Sequence, residues 1–128
     1  MTSELEQQLR SQYPKIFADW DKPLSESAMS FGLQCGDGWY GLIDQLCLEL
    51  QHATDHDGEP QFVASQVKQK WGSLQFHAAN EPSEVQSAII QHAQTRSAAI
   101  CEICGGPGQT LTINPRKVGT RCAMHAAA

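Results

Sequence analysis

Two short pairs of metal-binding side chains, Cys101-x2-Cys104 and Cys122-x2-His125, stand seventeen residues apart in this 128-residue chain. Nothing else in the sequence constrains the fold as tightly. Two residues between donors let one tight turn aim both at a single ion, and two such pairs at this separation are the pattern of structural zinc sites. Gly105 and Gly106 follow the first pair, where a knuckle needs positive φ. The N–H groups of that turn are placed to donate to the thiolates. Between the pairs, Gln109–Ile113 and Lys117–Thr120 read as short strands around a turn at Asn114-Pro115-Arg116. The expectation is a zinc ribbon holding one Zn2+ through Cys101, Cys104, Cys122 and His125. Four protein donors leave no open coordination position, so the ion is expected to be structural. A thioredoxin-like pair would need a helix after Cys104, and Gly105-Gly106-Pro107-Gly108 cannot start one. Haem attachment would need His at position 105.

Composition narrows the remainder. No apolar run approaches the roughly 20 residues of a membrane span. The opening MTSELEQQLR has no basic and apolar signal-peptide pattern, so the expected location is cytoplasmic. Thiols stay reduced there, which favours metal over disulfides for five cysteines. The net charge of −5 is unevenly spread. Residues 1–64 carry eleven acidic and three basic side chains, a balance of −8; residues 65–128 carry three and six, a balance of +3. Such a chain is poorly suited to generic nucleic-acid binding, where phosphate neutralisation dominates affinity. An acidic front half suits a basic protein surface better.

Along the chain, Ser3 and Glu6 form a capping-box signature ahead of Leu5, Leu9 and Tyr13. Ile16, Phe17 and Trp20 supply a second apolar turn. Asp37 is placed to cap a helix whose stripe is Trp39, Leu42, Ile43, Leu46, Leu50 and Ala53, ending near His52 before the turn-rich run Asp55–Pro60. Two antiparallel strands are predicted over about 62–70 and 73–78, with Trp71-Gly72-Ser73 as a tight turn. Asn80 and Pro82 mark a further helix with Val85, Ala88, Ile89, Ala93 and Ile100 facing inward. The fold class is therefore α+β: a central helix packed with a β-hairpin and flanking helices, closed by a C-terminal zinc ribbon. Residues 1–98 are expected to form the body and 99–128 a zinc-ribbon appendage, the two making one cooperative domain with at most a hinge between them.

Other candidates are weaker. His52 and His56 lie four apart, but Gly58 and Pro60 imply an exposed turn there rather than a chelating helix. Cys47 falls inside an apolar helix and reads as core. Cys35, before a helix N-terminus, is the one place for a lowered thiol pKa and hence a nucleophile, with His77 or His92 as base. Trp39, Tyr40, Lys68 and Lys70, together with Trp71, offer an aromatic and basic interaction surface; the simpler expectation packs both tryptophans inside. Arg116, Lys117 and Arg121 on the ribbon are the candidates for phosphate contact.

The segments Cys35-Gly36-Asp37-Gly38-Trp39, Val67–Leu74 (VKQKWGSL), Cys101–Gly108 (CEICGGPG) and Thr120–His125 (TRCAMH) together resemble a family of small uncharacterised proteins of proteobacteria and their phages. The likeness runs from about Tyr13 to His125. It implies a mobile-element setting and a shared zinc end. The functional expectation is a non-enzymatic protein-binding module that blocks a host or rival protein, such as a defence nuclease or a toxin. A nucleic-acid-binding accessory factor using the ribbon is the alternative, and an enzyme with Cys35 as nucleophile is the third reading.

Overall fold

In a computed structural model, which describes residues 1–127, the chain is α+β as expected. Helix α1 spans Ser3–Gln12, α2 Tyr40–Asp57 and α3 Glu84–Ser97. Strands β1 (Leu33–Gln34), β2 (Ala64–Lys70) and β3 (Ser73–Ala78) form one sheet, in that order. β1 runs parallel to β2, with Leu33 opposite Val67, and β2 and β3 form an antiparallel hairpin with Val67 opposite Phe76. Strands β4 (Gln109–Asn114) and β5 (Lys117–Arg121) make a separate two-stranded hairpin.

The predicted stripe of α2 is buried from Trp39 to Ala53, and Cys47 lies in the same core. Val67, Leu74 and Phe76 from the sheet, Ile90 and Ala93 from α3, and Leu9, Ile16, Phe17 and Met29 from the N-terminal third complete it. Phe62 stacks on Phe76 with ring centroids 5.6 Å apart. Among the described residues, no helix is long and apolar enough to cross a membrane.

Four local expectations need correction. Ser3 and Glu6 make no capping box: Thr2 is the N-cap, and the Glu6 carboxylate instead accepts from the Leu33 N–H at 2.6 Å. A long-range backbone donor at the start of β1 has taken the acceptor that local geometry offered. Asp37 likewise accepts from the Thr2 N–H at 2.8 Å, and a single 3-10 turn at Asp37–Trp39 leads into α2. Helix α2 does not stop at His52 but runs on to Asp57, ending at Gly58 with φ +75°. Its tail carries His52 and His56 side by side, ring centroids 4.4 Å apart. In α3 the buried face is Gln86, Ile90, Ala93 and Ser97, while Val85 and Ala88 are exposed and Ile100 lies beyond the helix end.

That rotation has a polar cause. Ser83 and Gln86 form a reciprocal capping box, Gln86 Nε2 donates to the Pro60 carbonyl at 2.5 Å, and Ser97 Oγ accepts from the Leu74 N–H at 2.9 Å. Buried hydrogen bonds at both ends of α3 therefore set which face turns inward, ahead of apolar count. Replacing Ser83 by Ala should lower unfolding free energy by roughly 0.5–2 kcal/mol in a denaturant titration, the ordinary cost of a lost N-cap.

Candidate metal centre

The knuckle at Cys101–Gly105 begins directly after α3. Cys101 N–H donates to the Gly106 carbonyl and Gly105 N–H to the Cys101 carbonyl, both at 2.8 Å, and Gly105 takes φ +79° as the turn requires. The second pair sits on a 3-10 turn, Ala123–His125, immediately after β5. The two ends meet: one donor atom from each of Cys101, Cys104, Cys122 and His125 lies within 4.8 Å of every other.

The separations have the size of tetrahedron edges. Cys104 Sγ and Cys122 Sγ are 3.7 Å apart, and His125 Nδ1 is 3.8 Å from Cys101 Sγ and 3.2 Å from Cys122 Sγ. A tetrahedral ion with metal–sulfur bonds of about 2.3 Å has edges of about 3.8 Å. These four side chains can therefore hold one metal ion, with His125 binding through Nδ1. Burial pushes the Cys101 thiol up, but the N–H groups of Cys104, Cys122 and Ile103 more than reverse this, lowering it to about 6. The thiolate that a metal needs is thus favoured by the fold's own backbone. At Cys104 the Gly106 N–H favours the thiolate, but partial desolvation and the neighbouring Cys122 and Cys101 thiols outweigh it and leave the pKa raised.

The body segments that flank the centre explain two motifs that had no role in the sequence. Gly38 N–H donates to the Glu102 carbonyl at 2.9 Å, and Trp39 Nε1 donates to the Ile100 carbonyl at 2.8 Å. A Cβ on Gly38 would fall 2.3 Å from the Cys101 carbonyl oxygen, so only glycine admits the knuckle this close. At the other contact the Trp71-Gly72 turn sits on the ribbon. Thr120 Oγ1 donates to the Gly72 carbonyl at 2.6 Å, and a Cβ on Gly72 would lie 2.7 Å from Thr110 Cγ2. Gln69 Nε2 bridges to the Val118 carbonyl at 3.1 Å and to Glu102 Oε1 at 3.2 Å.

Between these contacts Arg121 and Glu102 form an ion pair whose side chains are only 4% and 7% exposed. Arg121 is therefore no phosphate-contacting residue; it belongs to the junction. Trp39, fully buried, leaves the candidate interaction surface as well. Lys70, Arg116 and Lys117 are exposed and Lys68 half-exposed. Tyr40 is half-buried, its hydroxyl donating to Gln8 Oε1 at 3.0 Å. Trp71, expected inside, is 69% exposed. Cys35 does not have a lowered pKa. Burial pushes it up to about 12, and the Glu102, Glu6 and Asp37 carboxylates add to the rise against a smaller opposing pull from the chain's terminal amine. No histidine is among the groups that shift it.

Sequence reasoning missed Glu102, Gln69 and Thr120. One signal for the first was present: Glu102 follows one donor and Arg121 precedes another, so a shared ion must bring opposite charges together. No family model, curated protein or solved structure matches the chain.

Purified protein should carry one metal equivalent by elemental analysis, and in a variant with Trp20→Phe and Trp71→Phe a strong chelator should change Trp39 fluorescence together with the loss of ribbon structure. Removing one partner of the buried pair, by Arg121→Ala or Glu102→Ala, should cost about 3–5 kcal/mol of stability in denaturant unfolding.

Proposed function

We propose that this protein is a zinc-stabilised, non-enzymatic protein-binding module of a reducing compartment. Three thiolates and an imidazole at tetrahedral spacing are the donor set of structural zinc, and all four positions are filled by the protein. The single observation that carries the binding role is Trp71. It occupies the first central position of a two-residue hairpin turn with φ +54°, followed by Gly72 at +82°. Such turns favour Asn-Gly, and a bulky side chain in the left-handed region costs about 1–2 kcal/mol. The indole contributes little burial in return, being 69% exposed. Local strain without a folding benefit points to use of the side chain outside the fold. Tryptophan is among the residues most enriched in binding hot spots, and Gly72 clamped to the ribbon gives it a rigid support.

On this reading the zinc end does no chemistry; it holds the turn that presents Trp71. The resemblance of its motifs to phage and proteobacterial proteins is the ground for proposing a host or rival protein as the target, which the module would block by occupying its surface, as a defence-system inhibitor or toxin-immunity protein would. The raised Cys35 pKa supports the non-enzymatic side of the proposal. Exposed Lys70, Arg116 and Lys117 favour one second reading, in which Trp71 stacks on a single-stranded base and the cations hold phosphates.

Trp71→Asn separates fold from function. The variant should be more stable than the parent by about 1 kcal/mol, since it relieves the turn, yet lose a partner that the zinc-loaded parent retains on affinity capture from host lysate. Equal retention by both proteins would count against Trp71 as the contact. Oligonucleotide binding that falls steeply with salt and vanishes in Trp71→Asn would select the second reading instead.

A further inference from the structure

A second surface lies away from the ribbon, between α2 and α3. It is a groove of about 450 Å³ whose apolar lining is Leu48, Ala53, Val85 and Ile89. Leu48 and Val85 are 52% and 47% exposed, large aliphatic side chains left facing water on adjacent helices. Glu49, His52 and Asp57 complete the lining, all three from α2.

Charge around the groove has one sign. No Lys or Arg occurs in α2, and the only one in α3 is Arg96 in its last turn, at the opposite end from Val85 and Ile89, whereas Glu49, Asp55, Asp57, Glu81 and Glu84 stand on or just before the two helices. The rest of the chain's nine basic residues lie elsewhere. From these observations we infer that the α2–α3 groove is a docking site for a basic amphipathic helix of a partner protein. The inference rests on the protein-binding reading above and adds to it the chemistry of the partner.

The choice among occupants follows from the charge. A second copy of this chain would set one acid-only face against another, and like charges so placed oppose association. Nucleic acid and anionic lipid are repelled for the same reason. A basic helix is attracted. Two packed helices leave a furrow into which a third can lay apolar side chains at i, i+3, i+4 and i+7, with its flanking Lys or Arg reaching the acidic rim. Leu48 and Val85 are then buried on binding rather than on folding, which is why their exposure is tolerated.

The test uses the full-length, zinc-loaded protein and a synthetic amphipathic peptide of about 18 residues, long enough to form a helix on a surface. Its polar face carries Lys in one version and Glu in the other. Fluorescence anisotropy should show saturable binding of the Lys peptide, weakening as salt rises, and none of the Glu peptide. Leu48→Lys and Val85→Lys alter exposed side chains, so both should stay folded by circular dichroism. Each should weaken binding by roughly tenfold or more, the loss expected for an anchor worth about 1.4 kcal/mol. Trp71→Asn should bind the peptide like the parent. Absence of Lys-peptide binding, equal binding of both peptides, or binding untouched by Leu48→Lys and Val85→Lys would each overturn the proposal. So would self-association abolished by Leu48→Lys, which would make a second copy the occupant. Those failures leave Trp71-dependent capture standing, so loss of the groove and loss of the protein-binding reading are told apart.

Discussion

The structure depends on the convergence of four donors at one point. Cys101 and Cys104 are tethered to the end of α3, while Cys122 and His125 are tethered to the end of β5. Bringing the four together closes the intervening loop, and with it positions the β4–β5 hairpin against the body. In a chain of this size the apolar core is modest, so a closure of this kind is a large fraction of the available stability. It also creates the conditions for burying Glu102 against Arg121. An ion pair held out of water is favourable only when geometry and further hydrogen bonds are supplied; here Gln69 donates to Glu102 and the Thr120 carbonyl accepts from Arg121, while Arg121 Nε stays buried without a partner.

The same closure joins two regions that a reading of the sequence separates. The Gly36–Trp39 segment opens α2 and also receives the Cys101 knuckle; the Gln69–Gly72 segment turns the central hairpin and also receives β5. At the first, a backbone N–H and an indole N–H donate to ribbon carbonyls; at the second, a hydroxyl and a side-chain amide donate to carbonyls; and both need a glycine where a Cβ would collide. The ribbon rests on the body at two separate points, through hydrogen bonds at each, with the buried Arg121–Glu102 pair between them.

This arrangement divides the surface into two regions of different character. Near the ribbon, Trp71 projects from a strained turn with Lys70 beside it and exposed Arg116 and Lys117 on the hairpin tip. On the α2–α3 groove, aliphatic side chains face water beside Glu49 and Asp57, with no Lys or Arg in the lining. The net charge of −5 averages over the two and describes neither. Opposed charge on separate faces gives a small protein orientation in an encounter as well as attraction.

Much of this was legible without coordinates. The ligand set, the ribbon hairpin, the stripe of α2 and the two-residue turn at Trp71-Gly72 all follow from short-range spacing, and local geometry leaves few alternatives at such spacings. Where residues had competing uses, tertiary contacts decided. Glu6 was free to cap its own helix but serves the Leu33 N–H; α3 turns its amides and hydroxyls inward because buried backbone groups must be satisfied. Trp39 and Trp71 look equivalent as sequence, since each is a tryptophan beside a glycine. One is wholly buried and the other mostly exposed because the Trp39 indole finds a carbonyl at Ile100 to receive its N–H, while Trp71 is lifted off the sheet by a turn locked to the ribbon. Sequence alone determined which atoms can hold a metal; tertiary structure decided which aromatic and which charges remain available to a partner, because burial is a property of the whole packed chain.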